Sequence, residues 1–304
     1  MVIKNATIQK VVQDLLGKDN ITKEDILSIK ELDLQRKDLV DISDLAQFIN
    51  LEKLILTENC LSDLSPIKEL VHLKELRAGN DPFLPDEEKT KRKGKNHFVN
   101  FSFLKNLANL THVDFTDTDI ENINFVSMLP SVIEFWAYCN PIKSIAPLIS
   151  CQKLEKTYFY ACPIKDINVC KNIPTLIGIA INETDVSDIS PLEGHNGFVS
   201  LDAHGAKITD ITPIKDMVGM NYLTLAATQV TDIAPLLKMQ WLKWLTLEVK
   251  DYLTFEHIES ILPELKGLDT VALHNCDFTD EQKENLTVKM PSVKVRFNVF
   301  GVWD

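Results

Sequence analysis

Three copies of one five-residue motif, Asp188-Ile-Ser-Pro-Leu192, Asp210-Ile-Thr-Pro-Ile214 and Asp232-Ile-Ala-Pro-Leu236, recur at intervals of 22 residues. A fixed interval of this size marks a chain built by stacking one small unit, because such a unit cannot bury its apolar face alone. A fourth copy, Asp63-Leu-Ser-Pro-Ile67, lies 125 residues before the first, which is five periods and 15 residues more. Pro147 of Ile145-Ala-Pro-Leu148 lies 81 residues after Pro66, three periods and the same 15. One insertion therefore falls between these two prolines, and the acid-to-base run over 81–97 is where the sequence places it.

In that register each unit reads L-x-x-L-x-L-x-x-N/C/T-x-L-x-x-L/I, starting at Ile29, Leu51, Leu73, Leu110, Val132, Leu154, Leu176, Phe198, Met220, Leu242 and Leu268. Alternation such as Leu54-Ile55-Leu56 has the period of two of a short strand with one face buried. The Pro and β-branched residues of the five-residue motif suit a 3₁₀ or irregular connection on the opposite side. The expected fold is therefore α/β: a leucine-rich-repeat solenoid with a parallel sheet on its concave face, 3₁₀ or short helices on its convex face, and a helical N-terminal cap. A buried small polar or thiol position after the strand, occupied by Asn59, Asn140, Cys162, Thr184, Thr228 and Cys276, is expected to bond the loop backbone of the neighbouring turn.

An open stack needs its ends covered. Ile8, Val11, Val12, Leu15 and Leu16 have helical spacing before Gly17, and Thr22 with Asp25 reads as the N-cap of a second short helix. Thr254-Phe255 through Leu262 reads as a helix, Thr279-x-x-Gln282 as a capping box, and Val293 to Val299 as a last alternating strand whose Lys294 and Arg296 guard the edge. The chain thus divides into an N-terminal cap over 1–28, repeats over 29–267 with the insertion at 81–97, and a last repeat with its cap over 268–304, expected to form one continuous unit.

With these repeats and the cap Leu15-Leu-Gly-Lys-x-x-Ile21-Thr22-x-x-Asp25-Ile26, the chain resembles the 22-residue leucine-rich repeats of bacterial internalin-like proteins, a class shared with the eukaryotic phosphatase-1 regulatory subunit. The resemblance covers about Ile8 to Leu286. It implies a binding protein, with a regulatory subunit of an enzyme such as a phosphatase, or a secreted or surface adhesin, as the alternatives.

The third, fifth and seventh positions of each repeat point out of the sheet and map the binding face. Trp136 and Tyr138 on one turn and Tyr158 and Tyr160 on the next are expected to form a square of aromatic rings, the commonest kind of interface anchor. The alternative is that they only stabilise the sheet by cross-strand stacking. Tyr222 and Trp244, both at third positions, would extend the strip. The same face carries Glu31, Asp33, Glu58, Glu75, Asp114, Asp117, Glu134, Glu183, Asp202 and Glu248 against Lys53, Arg77 and Lys156. With 44 acidic and 32 basic residues and a formal charge of −12, a basic protein partner would be steered to it, and nucleic acid is disfavoured. Trp136, Tyr138, Tyr158, Tyr160, Tyr222, Trp244, Glu134, Asp114, His112, Asp202 and His204 are the candidate contact residues.

Catalytic readings find little support. Asp202, His204 and Ser200 lie on one open strand with no oxyanion donors implied, and His112 with Asp114 lacks a second pair at metal-ligand spacing. Cys139 has no His implied beside it to activate its thiol. No phosphate-cradling glycine motif is present, so neither enzyme activity nor any cofactor is expected. The basic stretch Lys89 to Lys95 reads as a solvated loop, with a lid or second partner contact and a nuclear address as alternatives. No stretch offers the roughly 20 apolar residues of a membrane span, and a start at Met1 without a signal peptide implies a cytoplasmic protein, or a secreted one if a signal peptide preceded it.

The six cysteines show no paired or metal-ligand spacing. Titration of the denatured protein without reductant should therefore count six thiols. Recovery of missing thiols only after reduction would place the protein in an oxidising compartment.

Overall fold

A computed structural model describes residues 3–250 and 253–298. The chain forms two compact units, the first ending at Tyr158 and the second starting at Phe159. The first unit holds, among its described residues, six parallel strands paired in chain order: β1 (Glu31–Asp33), β2 (Lys53–Ile55), β3 (Glu75–Arg77), β4 (His112–Asp114), β5 (Glu134–Trp136) and β6 (Lys156–Tyr158). The second holds β7 (Gly178–Ala180), β8 (Ser200–Asp202), β9 (Tyr222–Thr224), β10 (Trp244–Glu248), β11 (Thr270–His274) and β12 (Lys294–Phe297), again parallel and in order. Val299, expected to end the last strand, lies outside the described residues.

Most of the strands are followed by a left-handed residue at the eighth repeat position, with φ of 59° at Glu58, 51° at Asp117, 54° at Cys139, 53° at Glu183 and 70° at Gly205. That conformation turns the chain off the sheet after a strand of only three residues in most turns. Across the turn, the Asp of the five-residue motif nucleates the 3₁₀ segment. Asp63, Asp188, Asp210 and Asp232 each accept the backbone N–H two residues on, at 2.7–2.8 Å. This Asx turn pre-forms the bend that Pro then continues, and the Ile and Leu of the motif are buried. Hydrogen bonds from Ser65, Ser190 and Thr212 hold the carboxyls of Asp63, Asp188 and Asp210 below the usual range.

The polar ladder inside the turns is made largely by asparagine. Asn140 Oδ1 accepts the N–H groups of Thr118 and Ile120 while its Nδ2 donates to the carbonyls of Phe115 and Ala137. Asn59 does the same for Lys37, Leu39, Leu34 and Leu56. Thr184 and Thr228 satisfy one carbonyl each within their own turns, those of Ile181 and Leu225. Asn96 lies inside the span read as inserted. It is wholly buried, accepts from Leu61 N and donates to the carbonyls of Leu56 and Ala78. Asn80 Oδ1 accepts Asn96 N and Asn80 Nδ2 donates to Asn96 O, both at 2.9 Å, which clamps the two ends of the extra loop together. A loop closed in this way adds little entropic cost to the turn that carries it.

At the front, α1 (Ala6–Leu16) starts on Asn5, whose side chain accepts from Thr7 and Ile8, and ends on Gly17 at φ 67°. Thr22 and Asp25 form the capping box of α2 (Lys23–Ser28). Buried Asp44 accepts the N–H groups of Lys4 and Asn5, tying this segment to the first repeat. The short helix α3 (Asp86–Lys89) lies in the insertion, and α4 (Phe255–Ile261) and α5 (Asp280–Lys289) lie near the far end, the latter with the expected Thr279–Gln282 box.

Leu223 is completely buried on the core side of β9, so Leu223→Ala should cost about 2–5 kcal/mol of stability. Asn140→Ala should cost as much although it removes no apolar surface, because it strands four buried backbone groups at once. Chemical denaturation of both variants checks this, and a cost for Asn140→Ala under about 1 kcal/mol would mean that the ladder is dispensable.

Candidate partner-binding site

All eleven candidate residues sit at outward-facing positions of the repeats, and every one is half-buried. The first unit carries His112, Asp114, Glu134, Trp136, Tyr138 and Tyr158. The second carries Tyr160, Asp202, His204, Tyr222 and Trp244.

In the first unit, β5 and β6 place Trp136 opposite Tyr158 in register, and their rings stack with centroids 5.3 Å apart and planes 2° from parallel. Tyr138 meets Tyr158 edge-on at 6.0 Å and 83°. Three corners of the expected square are therefore together in one unit, and the fourth, Tyr160, begins the next. The opposite side of the cluster holds His112, one of the candidate residues, and Arg77, which the sequence placed on this face as a cation but not against the aromatic rings. His112 lies 6.2 Å from Trp136 at 26°, and the Arg77 guanidinium sits 5.8 Å from the Trp136 ring centre. Arg77 reaches across β4 because the residue between, Asp114, is short. Its Nε is also 2.6 Å from Glu75 Oε1, which fixes the guanidinium in place. Burial, with Glu134 adding to it, pushes the Tyr158 hydroxyl up to about 12. Glu134 lies 3.7 Å from Lys156 Nζ.

In the second unit, Tyr222 and Trp244 are register partners on β9 and β10 and stack at 6.2 Å and 16°. Asp202 and His204 engage different partners. Thr224 Oγ1 donates to Asp202, while His204 Nε2 lies 3.4 Å from Glu183 Oε1. In the first unit, His112 Nδ1 meets Thr111 Oγ1 at 2.9 Å, while Asp114 Oδ1 accepts Thr116 N at 2.8 Å. No group of three or more His, Cys, Asp or Glu side chains is disposed to hold a metal among the described residues.

Neither a family model nor a curated protein matches the sequence. Solved structures do. An internalin, InlF, from Listeria monocytogenes shares 21% identity over 97% of this chain and 95% of its own, with a TM-score of 0.70. The leucine-rich-repeat protein LIC12759 of Leptospira interrogans shares 14% over 90% of this chain and 74% of its own, at a TM-score of 0.65. The plant peptide hormone receptor RGFR1, in complex with RGF2, shares 12% over 91% of this chain and 48% of its own, at a TM-score of 0.55. The chain has the internalin-like leucine-rich-repeat fold. At these identities the likeness concerns the backbone, and a solenoid of this kind leaves its outward rows free to vary.

Within this leucine-rich-repeat solenoid the insertion is an ordered rim rather than a free basic loop. Arg92 Nε lies 2.8 Å from the buried Glu58 carboxylate and its Nη2 donates to Asp81 O at 2.7 Å. Lys93 pairs with Asp38, and Lys95 bridges Asp117 and Asp119 at 2.9 Å each. The positive charge of the run is largely spent on the acidic edge of its own repeats. No helix among the described residues is long and apolar enough to cross a membrane.

The Asp114 carboxylate is closely enclosed by the neighbouring strands. A Cβ at Gly79 would stand 2.8 Å from Asp114 Oδ1, so only glycine leaves room for this carboxylate between the strands. Burial pushes its pKa above the ordinary 3.8, with Thr116 and the Arg77 guanidinium pulling the other way. Folding thus favours the protonated form, and between the ordinary value and the raised one the folded state holds the extra proton. Stability should fall as pH rises through that window and stay lowered above it. Asp114→Asn keeps an acceptor for Thr116 N–H without the charge, so thermal unfolding should show it more stable than wild type at pH 7 and closer to it at pH 4. A loss of stability at pH 7 would mean that the Arg77 attraction outweighs burial.

Proposed function

We propose that the chain is a non-enzymatic protein-binding module whose partner docks on the open sheet face of the first unit, centred on Trp136 and Tyr158. The observation that carries this reading is the near-parallel stack of these two rings with Tyr138 standing perpendicular beside them. Large rings already locked by neighbours lose little freedom on binding, which makes them effective anchors. Arg77 on the far side of Trp136 supports the same reading, since it holds the indole upright on the sheet.

The partner is basic where it meets the rim of this site. The cations on the outward rows of the first unit are already engaged, Lys53 and Arg77 with Glu75 and Lys156 with Glu134. Glu31, Asp33 and Asp114 add to the negative field, which speeds association with a basic surface. The helices before residue 29 serve as a cap to the stack. Burial pushes the Cys151 thiol up to about 11 and the Cys170 thiol up to about 12, which suits packing groups rather than reactive thiols.

The test is affinity capture from the source organism with wild type, Trp136→Ala and Leu223→Ala proteins, followed by titration of the captured partner. Trp136→Ala should weaken binding by at least about 2 kcal/mol while lowering stability by no more than about 1 kcal/mol of cross-strand contact. Leu223→Ala should bind normally whenever it is folded. A Trp136→Ala protein that is badly destabilised yet binds the partner unchanged would show that the rings serve packing alone.

A further inference from the structure

The open face of the second unit is built differently from that of the first. On β10 the flanking Leu245 and Leu247 face the core, so Thr246 points outward, yet it is only 3% exposed. Its register partner Thr224 is as deeply sunk. Tyr222 and Trp244 wall this floor on one side. On the other side the rings of His204 and His274, from β8's turn and β11, lean to within 6.3 Å of each other.

Four of the buried polar atoms without a hydrogen-bond partner among the described residues are gathered on β9 and β10: Thr246 Oγ1, Tyr222 Oη, Trp244 Nε1 and Glu248 Oε2, the last of them ion-paired with Lys250. Thr224 marks the contrast, since its hydroxyl both donates to Asp202 and accepts Ala203 N–H. Many other buried polar groups are paired, as at Asn59, Asn96 and Asn140, and the remaining unpartnered ones, such as Gln47 Oε1 and Asn182 Oδ1, are scattered along the chain. Unpaired groups at the floor of an outward face cost the free protein stability, which a ligand that pairs with them would recover.

The charges around the floor select the ligand. Asp202, Glu183 and Glu248 are acidic, and Lys250, 2.5 Å from Glu248, is the cation facing them. Burial and the neighbouring His204 hold the His274 pKa below its ordinary value, which favours an uncharged ring at neutral pH. We propose that this face binds an extended peptide segment carrying an arginine side chain. An extended backbone presents carbonyl acceptors to the Trp244 N–H and both donors and acceptors to the Tyr222 and Thr246 hydroxyls. The guanidinium is the cation that both stacks on the Tyr222 and Trp244 rings and pairs with the Asp202 carboxylate. The site shares no residue with the Trp136 cluster, and neither reading depends on the other.

The probe is a short acetylated and amidated Gly-Ser peptide with one central arginine, compared with the same peptide bearing citrulline or glutamate. The readout is the Trp244 indole N–H resonance, assigned by its loss in Trp244→Phe. The arginine peptide should shift this signal saturably, and the citrulline and glutamate peptides should bind at least about tenfold more weakly. Thr246→Val, which keeps the shape and removes the hydroxyl, should weaken the arginine peptide about three- to tenfold without lowering the thermal midpoint. Trp136→Ala should bind the peptide as wild type does, which separates failure of this site from failure of the first. Three results would each overturn the proposal: no shift of the Trp244 signal, equal binding of the three peptides, or a Thr246→Val protein that binds normally or is less stable than wild type.

Discussion

The structure depends on a buried side-chain amide that does the hydrogen bonding of a missing strand. A repeat of this size spends three residues on its strand in most turns and must then carry its backbone through the interior and out again. The backbone groups of that passage have no ladder to join and would be stranded out of water. Asn59, Asn96 and Asn140 each accept two N–H groups or donate to two carbonyls of adjoining segments, so one side chain satisfies what a longer sheet would. Where threonine takes the position, only one carbonyl is served.

With the interior polar groups settled in this way, the apolar rows can close around them and the outward rows are released from packing duty. The left-handed residue after most strands sets the edge of the face, and it is there that the insertion is fastened through Glu58 and Asp117. The extra loop is tolerated because the Asn80–Asn96 clamp returns the chain to the same place at which it left. It then borders the aromatic cluster of the first unit as a rim.

The two outward faces are built differently, and under the proposed functions each would prepare a partner site in its own way. On the first unit, Trp136 is held between Tyr158 on one face and Arg77 with His112 on the other, so the proposed anchor is ordered before any partner arrives. On the second, the cost is kept in the free protein as unpaired hydroxyl and indole groups beside fixed carboxylates. In the proposed sites the first arrangement would lower the entropy lost on binding, and the second would give enthalpy back to a ligand of matching chemistry.

The period, the strand positions, the capping boxes at Thr22 and Thr279 and the stacking of Trp136 on Tyr158 were all legible in the sequence. Each follows from local spacing or from residues one repeat apart, and a stack of identical steps converts sequence distance directly into spatial distance. The buried role of Asn96 escaped because the insertion hides its register, and the Asx turns of the repeated Asp residues escaped because Pro dominates the motif. The tertiary structure alone decided what crosses more than one step. Arg77 reaches Trp136 over an intervening strand, Asp114 is desolvated where Gly79 leaves room, and Thr246 is sunk between an aromatic wall and two histidines. These outcomes depend on side-chain lengths summed across several turns and on which atoms are left without water, and spacing along a chain carries no record of either.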